Sequence, residues 1–354
     1  MYTLCEKVQG LTPYAPLSGQ YRIRLDANES YFTPDAMMME RFAKELARLD
    51  LNRYPDPYAV EACKAFAEFY GVPESSVTAG NGSDELIGII CGSLLQKGDK
   101  LLTFSPDFSM YQFYGEIYEL ETLALSKGDS LQLDVDEAIR FIQENGVSAV
   151  IFSNPCNPTS LGLSREKVRK LIRSTEALVV LDEAYMDFWD QSMLPETQQY
   201  DNLIVLKTCS KAIGMAAIRL GFAVAKPTLT LALRAVKSPY NVNSMTQLFG
   251  AQVLGCKEYL DWCCKALVKS REALQQGLEG LAARFPALEQ VYPSCTNFVF
   301  VRCSAAKTIQ TALAERSIAV RCFDGYLRIT AGSSEENAAF LAALTEILVK
   351  EGKA

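Results

Sequence analysis

The sequence predicts an α/β fold, with a large domain built on a mostly parallel sheet between helices and a smaller α+β domain packed against it. Three observations carry this expectation. Short apolar runs alternate with helical patterns through the middle of the chain, a long helical stretch follows, and the last part returns to strands separated by single helices. The runs "KLLTF" (100–104), "SAVIF" (148–152), "ALVVLDEAY" (177–185), "NLIVLKT" (202–208) and "LGFAVA" (220–225) are short, β-branched and bounded by turn residues. Such continuous apolar runs suit strands buried on both faces. Residues 84–98, 135–146 and 164–176 read as helices, two of them entered through Ser or Asp caps. From 244 to 283 a helical pattern runs with few breaks. It is followed by "NFVFVR" (297–302), a helix near 304–316, "IAVRCF" (318–323), "YLRIT" (326–330) and a closing helix. The expected large domain spans 31–243, and 1–30 with 244–354 form the small one.

Composition narrows the function. The 354 residues carry a net charge of −7, and no basic stripe marks a nucleic-acid surface. No apolar run is long enough for a membrane span, and the first residues do not read as a signal peptide. Eleven scattered cysteines without a CxxC pair suit a reduced, cytoplasmic chain better than a disulfide framework or a zinc site. The chain contains no histidine. A Ser-His-Asp triad, a Cys-His dyad and a histidine-ligated zinc are therefore excluded within it. Proton transfer near neutral pH falls to Lys, Tyr, Cys, a carboxylate or a cofactor.

Four segments carry chemistry. "TAGNGSDELIGII" (78–90) runs from a strand through a Gly-Asn-Gly turn into a helix opening at Ser83 and Asp84. Helix-start N–H groups make an anion site, although a capped helix after a glycine turn can equally be mere structure. "SNPCNPTSLG" (153–162) holds two Asn-Pro steps at a strand's C-terminal end, leaving Asn157 to donate an amide N–H or to make an ordinary turn. "VVLDEAYMDF" (179–188) sets Asp182 at the end of an apolar strand, a costly position unless it meets a cation or donor, with Tyr185 three residues on. "TCSKAIGMAAIRLGF" (208–222) surrounds Lys211 with small and apolar residues, eight positions before Arg219. Desolvation there lowers an amine's pKa and makes it nucleophilic; the alternative is a lysine snorkelling beside a core helix.

Together these segments resemble the aspartate-aminotransferase superfamily of pyridoxal-phosphate enzymes (fold type I), and within it the histidinol-phosphate aminotransferases. The resemblance runs from "LTPYAPL" and "RLDANES" (11–30) through "NRYPDPY" (52–58) to "YLRITAGS" (326–333). It implies pyridoxal 5'-phosphate as cofactor, with Lys211 bonded to its aldehyde and moving the substrate's α-proton. Asp182 is expected to pair with the ring nitrogen, Asn157 and Tyr185 with the phenolic oxygen, and Phe108 of "SPDFSMY" to stack on the ring. Ser83, Asp84, Thr208, Ser210 and Arg219 are expected to hold the phosphate. Tyr54 is expected to reach the phosphate of a partner subunit, which implies a homodimer. Arg328 and Arg321 are expected to bind the substrate's anionic end, near Tyr14. Some residues depart from the family pattern. Phe108 stands where Tyr is frequent, Ala217 where Gly is common, "NPTS" replaces "NPTG", and Cys156 is unusual between two Asn-Pro steps.

The implied reaction is amino transfer between histidinol phosphate and 2-oxoglutarate, giving imidazole acetol phosphate and glutamate. An aromatic or broad-specificity aminotransferase is the near alternative, and a threonine-phosphate decarboxylase a further one. A cofactor-sensing regulator would need a helix-turn-helix domain, for which no room is expected before residue 11.

Overall fold

The computed structural model describes residues 2–13 and 17–351, so Tyr14 lies outside the described residues. In chain order the strands are β1 (Ile23–Leu25), β2 (Val77–Asn81), β3 (Lys100–Ser105), β4 (Glu121–Ser126), β5 (Ala149–Ser153) and β6 (Leu178–Asp182). Then follow β7 (Leu203–Thr208), β8 (Leu220–Ala225), β9 (Leu288–Val291), β10 (Phe298–Cys303), β11 (Ile318–Phe323) and β12 (Tyr326–Thr330). Seven form one sheet in the order β2-β8-β7-β6-β5-β3-β4. All run parallel except β8, which is antiparallel to both of its neighbours.

Alternate residues of the central strands enter two different cores, as the period of two requires. Val150, Phe152, Val179, Leu181 and Val205 pack with Phe42, Phe66 and Leu171 on one face. Ile151, Val180, Ile204 and Leu206 pack with Leu86, Ile87 and Ile90 on the other. That two-sided burial is why these strands read as unbroken apolar runs. Five strands form a second sheet, β1-β11-β12-β10-β9, whose apolar face meets Leu274, Leu278, Ile309, Phe340 and Leu344 from three helices. The parallel arrangement brings Asn81, Ser105, Ser153, Asp182 and Thr208, the last residues of five strands, to one edge of the large sheet. Reversed β8 starts at that same edge. Ligands of open α/β sheets bind there.

Local chemistry explains the element ends. Asp134 accepts from the N–H groups of Asp136 and Glu137 to start Val135–Asn145, and Ser164 accepts from Lys167 N–H to start Arg165–Arg173. Several expected elements differ in extent. The stretch 244–283 is two helices, Ser244–Leu254 and Lys257–Ala282, parted at Gly255 and Cys256. The helix expected over 84–98 runs from Gly82 to Ile89 and continues as a π-turn to Leu94, before Gly98 takes a left-handed φ of 86°. The strand expected over 177–185 stops at Asp182, because Ala184 N–H turns back to the Asp182 carboxylate at 3.0 Å. No helix holds Lys211; it sits in a turn after β7. Strands β1, β4 and β9 and the helices Ala36–Leu46, Val60–Tyr70, Met110–Ile117 and Pro227–Val236 had no expectation attached.

One close approach fixes the sheet edge. A Cβ on Gly221 of β8 would lie 2.3 Å from Gly82 C and 2.3 Å from Ser83 N, both backbone atoms. Only glycine lets the helix Gly82–Ile89 start directly against β8. Gly221→Ala should therefore lower unfolding free energy by about 1–3 kcal/mol, the usual range for overpacking. Urea denaturation measures this, and an unchanged midpoint would show that the helix start yields freely.

Candidate active site

Asp182 ends the central strand β6 and is 4% exposed. Its Oδ2 accepts from the Tyr111 hydroxyl at 2.8 Å and its Oδ1 from Ala184 N–H. Burial pushes its pKa up to about 6, although the Tyr111 and Ala184 hydrogen bonds pull the other way. Tyr111 is itself fully buried, and burial together with Asp182 holds its hydroxyl protonated well above the ordinary range. The carboxylate therefore has donors but still lacks the strong cationic partner that would bring it back to the usual value.

Lys211 is partly buried and donates from Nζ to the carbonyl of Ala27 at 2.9 Å, with its ammonium 5.9 Å from the Tyr185 ring centroid. Its pKa is lowered to about 8, by burial first and then by the charges of Arg328 and Arg219, while Glu29 and Asp182 oppose them. A sizeable fraction of neutral amine thus exists near neutral pH. The Tyr185 hydroxyl accepts from Asn28 Nδ2 at 2.9 Å, which leaves its own hydrogen to be donated elsewhere. Asn28 stands in the left-handed region at φ 56°, tolerable for Asn, and its backbone N–H donates to Thr330 on β12. Arg328, on the same strand, donates from Nη1 to Asn157 Oδ1 and from Nη2 to Asp26 O at 2.7 Å. Because the Asn157 oxygen is held by Arg328, its Nδ2 hydrogens point to the other side of the amide. The two sheets are thus joined through this cluster.

The anion end lies where β2 turns into the helix Gly82–Ile89. Gly82 has φ 74°, and a Cβ there would come within 3.0 Å of the Arg219 guanidinium. Arg219 itself takes a left-handed φ of 54° at the entry to β8. Thr208 Oγ1 lies 3.0 Å from Ser210 Oγ and accepts from Ser210 N–H. The Asp84 carboxylate accepts from the Tyr114 hydroxyl at 3.2 Å, leaving the helix-start N–H groups and Arg219 as the positive end.

The remaining expected residues fall differently. Phe108 is half-buried and meets Tyr111 edge-on, ring centroids 5.5 Å apart. Arg321 is the direct cross-strand partner of Arg328, and it borders an open groove of about 440 Å³ with Lys307, Gln310 and Asp324. Among the described residues Arg321 makes no hydrogen bond or ion pair. Tyr54 is 83% exposed and stacks on Tyr240 at 4.7 Å, with no contact to the cluster around Lys211. Tyr111 and Asn28 were not singled out from sequence, although both lie in quoted motifs. Tyr111 follows Phe108 by three positions, one turn along the chain as it enters the helix Met110–Ile117.

A lysine amine made nucleophilic by its surroundings, a buried carboxylate, an anion-binding helix start and an arginine joining two sheets mark the chain as a group-transfer enzyme. It belongs to the aminotransferase class I and II family, whose model matches residues 22–344. A histidinol-phosphate aminotransferase of Clostridium kluyveri is 37% identical over 350 residues, covering 97% of this chain and 98% of that protein. The structure of the histidinol-phosphate aminotransferase of Sinorhizobium meliloti, in complex with pyridoxal-5'-phosphate, superposes with a TM-score of 0.87 over 99% of this chain and 98% of that one, at 21% identity. The L-threonine-O-3-phosphate decarboxylase of Porphyromonas gingivalis gives 0.77 at 19% identity, over 92% and 99% of the two chains. At these identities the two structures speak to the fold alone.

The lowered Lys211 pKa is open to direct measurement. In cofactor-free protein, competitive acylation followed by mass spectrometry should give half-maximal Lys211 labelling near pH 8, not the ordinary 10.5. Arg328→Met removes a positive neighbour and should move that midpoint upward. A wild-type midpoint at the ordinary value would show that the pocket does not desolvate the amine.

Proposed function

We propose that the chain is a pyridoxal-phosphate-dependent aminotransferase acting on histidinol phosphate with 2-oxoglutarate as amino acceptor, a step of histidine biosynthesis. The observation that carries this reading is the Lys211 amine, lowered to about 8 beside Arg328 and coupled to the buried Asp182. The donor set fits the cofactor. Asp182, raised to about 6 by burial, gains from a protonated ring nitrogen, and the helix start with Arg219, Ser83, Thr208 and Ser210 suits a phosphate, with Arg219 seated where a Cβ on Gly82 would crowd its guanidinium. Bound there, pyridoxal phosphate supplies an aldehyde that exchanges amines and an electron-withdrawing ring. Lys211 then carries the proton at the substrate's α-carbon, the natural carrier in a chain without histidine. Asp182 holds charge on the ring nitrogen, Tyr111 and Ala184 keep that carboxylate in place, and Tyr185 and Asn157 donate toward the phenolic oxygen. Arg328 takes the substrate's anionic group through its guanidinium fork.

The near-full-length likeness to histidinol-phosphate aminotransferases at 37% identity supports the substrate, as does the pairing of Arg321 with Arg328 across one strand pair. The exposed Tyr54 and Tyr240 pair supports a homodimer in which Tyr54 completes the neighbour's phosphate site. A cytoplasmic location agrees with eleven free cysteines and with the lack, among the described residues, of a helix long and apolar enough to cross a membrane.

Two measurements test the reading. Wild type should hold the cofactor as a yellow protein, and borohydride should fix it covalently at Lys211; Lys211→Ala should lose both the adduct and turnover. Arg321→Ala should cost about 1.5–3 kcal/mol in kcat/KM for histidinol phosphate, the worth of a hydrogen bond to a charged group, with little effect on glutamate. A preference for phenylalanine, or equal loss on all substrates, would replace the assignment with an aromatic aminotransferase. For the dimer, mixing Lys211→Ala with Tyr54→Phe should restore activity beyond either parent, since hybrid dimers hold one site with both groups intact. A fully active monomer by light scattering would refute shared sites.

A further inference from the structure

Two loops approach the site from neighbouring strands. Residues 106–108 follow β3 and end on Phe108; residues 154–158 follow β5 and include Asn157. Lys127, the first residue after β4, lies between them with its side chain 4% exposed. Its Nζ donates to the carbonyl of Pro106 at 2.8 Å and pairs with the Asp107 carboxylate at 3.2 Å, in the first loop. The same nitrogen lies 3.1 Å from the Sγ of Cys156, in the second. Asp107, its side chain 2% exposed, extends the connection. Its Oδ1 accepts from Phe108 N–H at 2.8 Å and from the Ser153 hydroxyl, and Ser153 Oγ in turn accepts from Asn157 N–H at 3.0 Å.

We propose that Lys127 is a positioning residue, whose buried ammonium clamps the Phe108 loop to the Asn157 loop and so sets the ring-facing groups over Asp182. One cation serves both loops, and two of its partners, Asp107 and Cys156, immediately precede Phe108 and Asn157, the residues proposed to face the cofactor. Burial works against the ammonium, but Asp107 and Cys156 beside it more than compensate and its pKa lies above the ordinary value. The clamp also has an electrostatic side. The Asp107 charge pushes the Asp182 pKa upward, so an Asp107 without Lys127 would be both an unpaired buried charge and a worse neighbour for Asp182. Cys156, whose presence between two Asn-Pro steps has no role in the reaction, gains one here as the second loop's contact.

This inference rests on the proposed cofactor, and the experiment separates the two. The full-length chain is prepared as wild type, Lys127→Met and the double variant Asp107→Asn with Lys127→Met. The readouts are thermal unfolding without cofactor, the Kd for pyridoxal phosphate by fluorescence quenching, and kcat and KM with whichever amino donor wild type turns over. Lys127→Met should lower the melting temperature and weaken cofactor binding. The double variant, with no buried net charge, should regain the melting temperature while kcat stays roughly 10–100-fold low, the order expected when reacting groups are misplaced by about 1 Å. Its KM should change less than kcat. A double variant with wild-type kcat and cofactor affinity would reduce Lys127 to neutralising Asp107 and overturn the proposal. So would a single variant that loses stability alone, or failure of both variants to fold, since the cluster would then hold the domain and not the site. Wild type that binds no pyridoxal phosphate defeats the cofactor reading itself, and the clamp with it.

Discussion

A carboxylate carried to the end of a central strand, out of reach of water, is the constraint on which the rest of the site depends. Asp182 is fixed there by the sheet and not by its own chemistry: its backbone belongs to β6, and Asn154 N–H donates to its carbonyl at 2.9 Å. Its side chain must then be satisfied by whatever the neighbouring strands deliver. Tyr111 and Ala184 supply hydrogen bonds, and two donors do not bring the acid back to its ordinary pKa. The unmet part of that demand is what supports the proposed pairing with a cationic ring, because a neutral group would leave the charge as costly as before.

The same sheet sets the geometry of everything else. Six parallel strands end at one edge and antiparallel β8 begins there, so residues far apart in sequence meet without long loops. Arg219 enters β8 beside the helix start at Gly82, and the contact is possible only because Gly221 and Gly82 leave room for backbone and guanidinium. Positive charge therefore gathers at the helix start beside Gly82, and burial at the amine end. Lys211 feels both. Its lowered pKa arises from burial first and from Arg328 second, so the arginine proposed to bind substrate also acts on the amine.

Much of this was legible in the sequence, for identifiable reasons. The buried strands stood out because two-sided burial demands unbroken apolar runs, and the charged or polar residues ending them were conspicuous by contrast. Asp182 belongs to that set, and Lys211 and Arg219 stand out in the turn between β7 and β8. The edge strand β4, with burial that alternates and is never complete, has no such contrast and escaped notice. Tyr111 escaped because a buried tyrosine reads as core unless its hydroxyl partner is known. Lys127 is the clearest case. Its partners Asp107 and Cys156 are 20 and 29 positions away, in loops after strands that become neighbours only when the sheet assembles.

The pairing of Arg321 with Arg328 carries the argument about substrate one step further. Like charges on directly opposed residues of an antiparallel pair are destabilising. Arg328 is occupied by Asn157 and the Asp26 carbonyl, which fix its guanidinium toward the large sheet. Arg321 has no such partner among the described residues and borders solvent. The fold thus tolerates the repulsion without neutralising it, and under the proposed function an anionic substrate engaging both guanidiniums would relieve it. A carboxylate, with a single charge, is well served by Arg328 alone. A phosphate, bearing close to two charges and three acceptor oxygens, can engage both. The strand register, more than the shape of any single pocket, is therefore what supports the proposal of a phosphorylated amino donor over an aromatic amino acid.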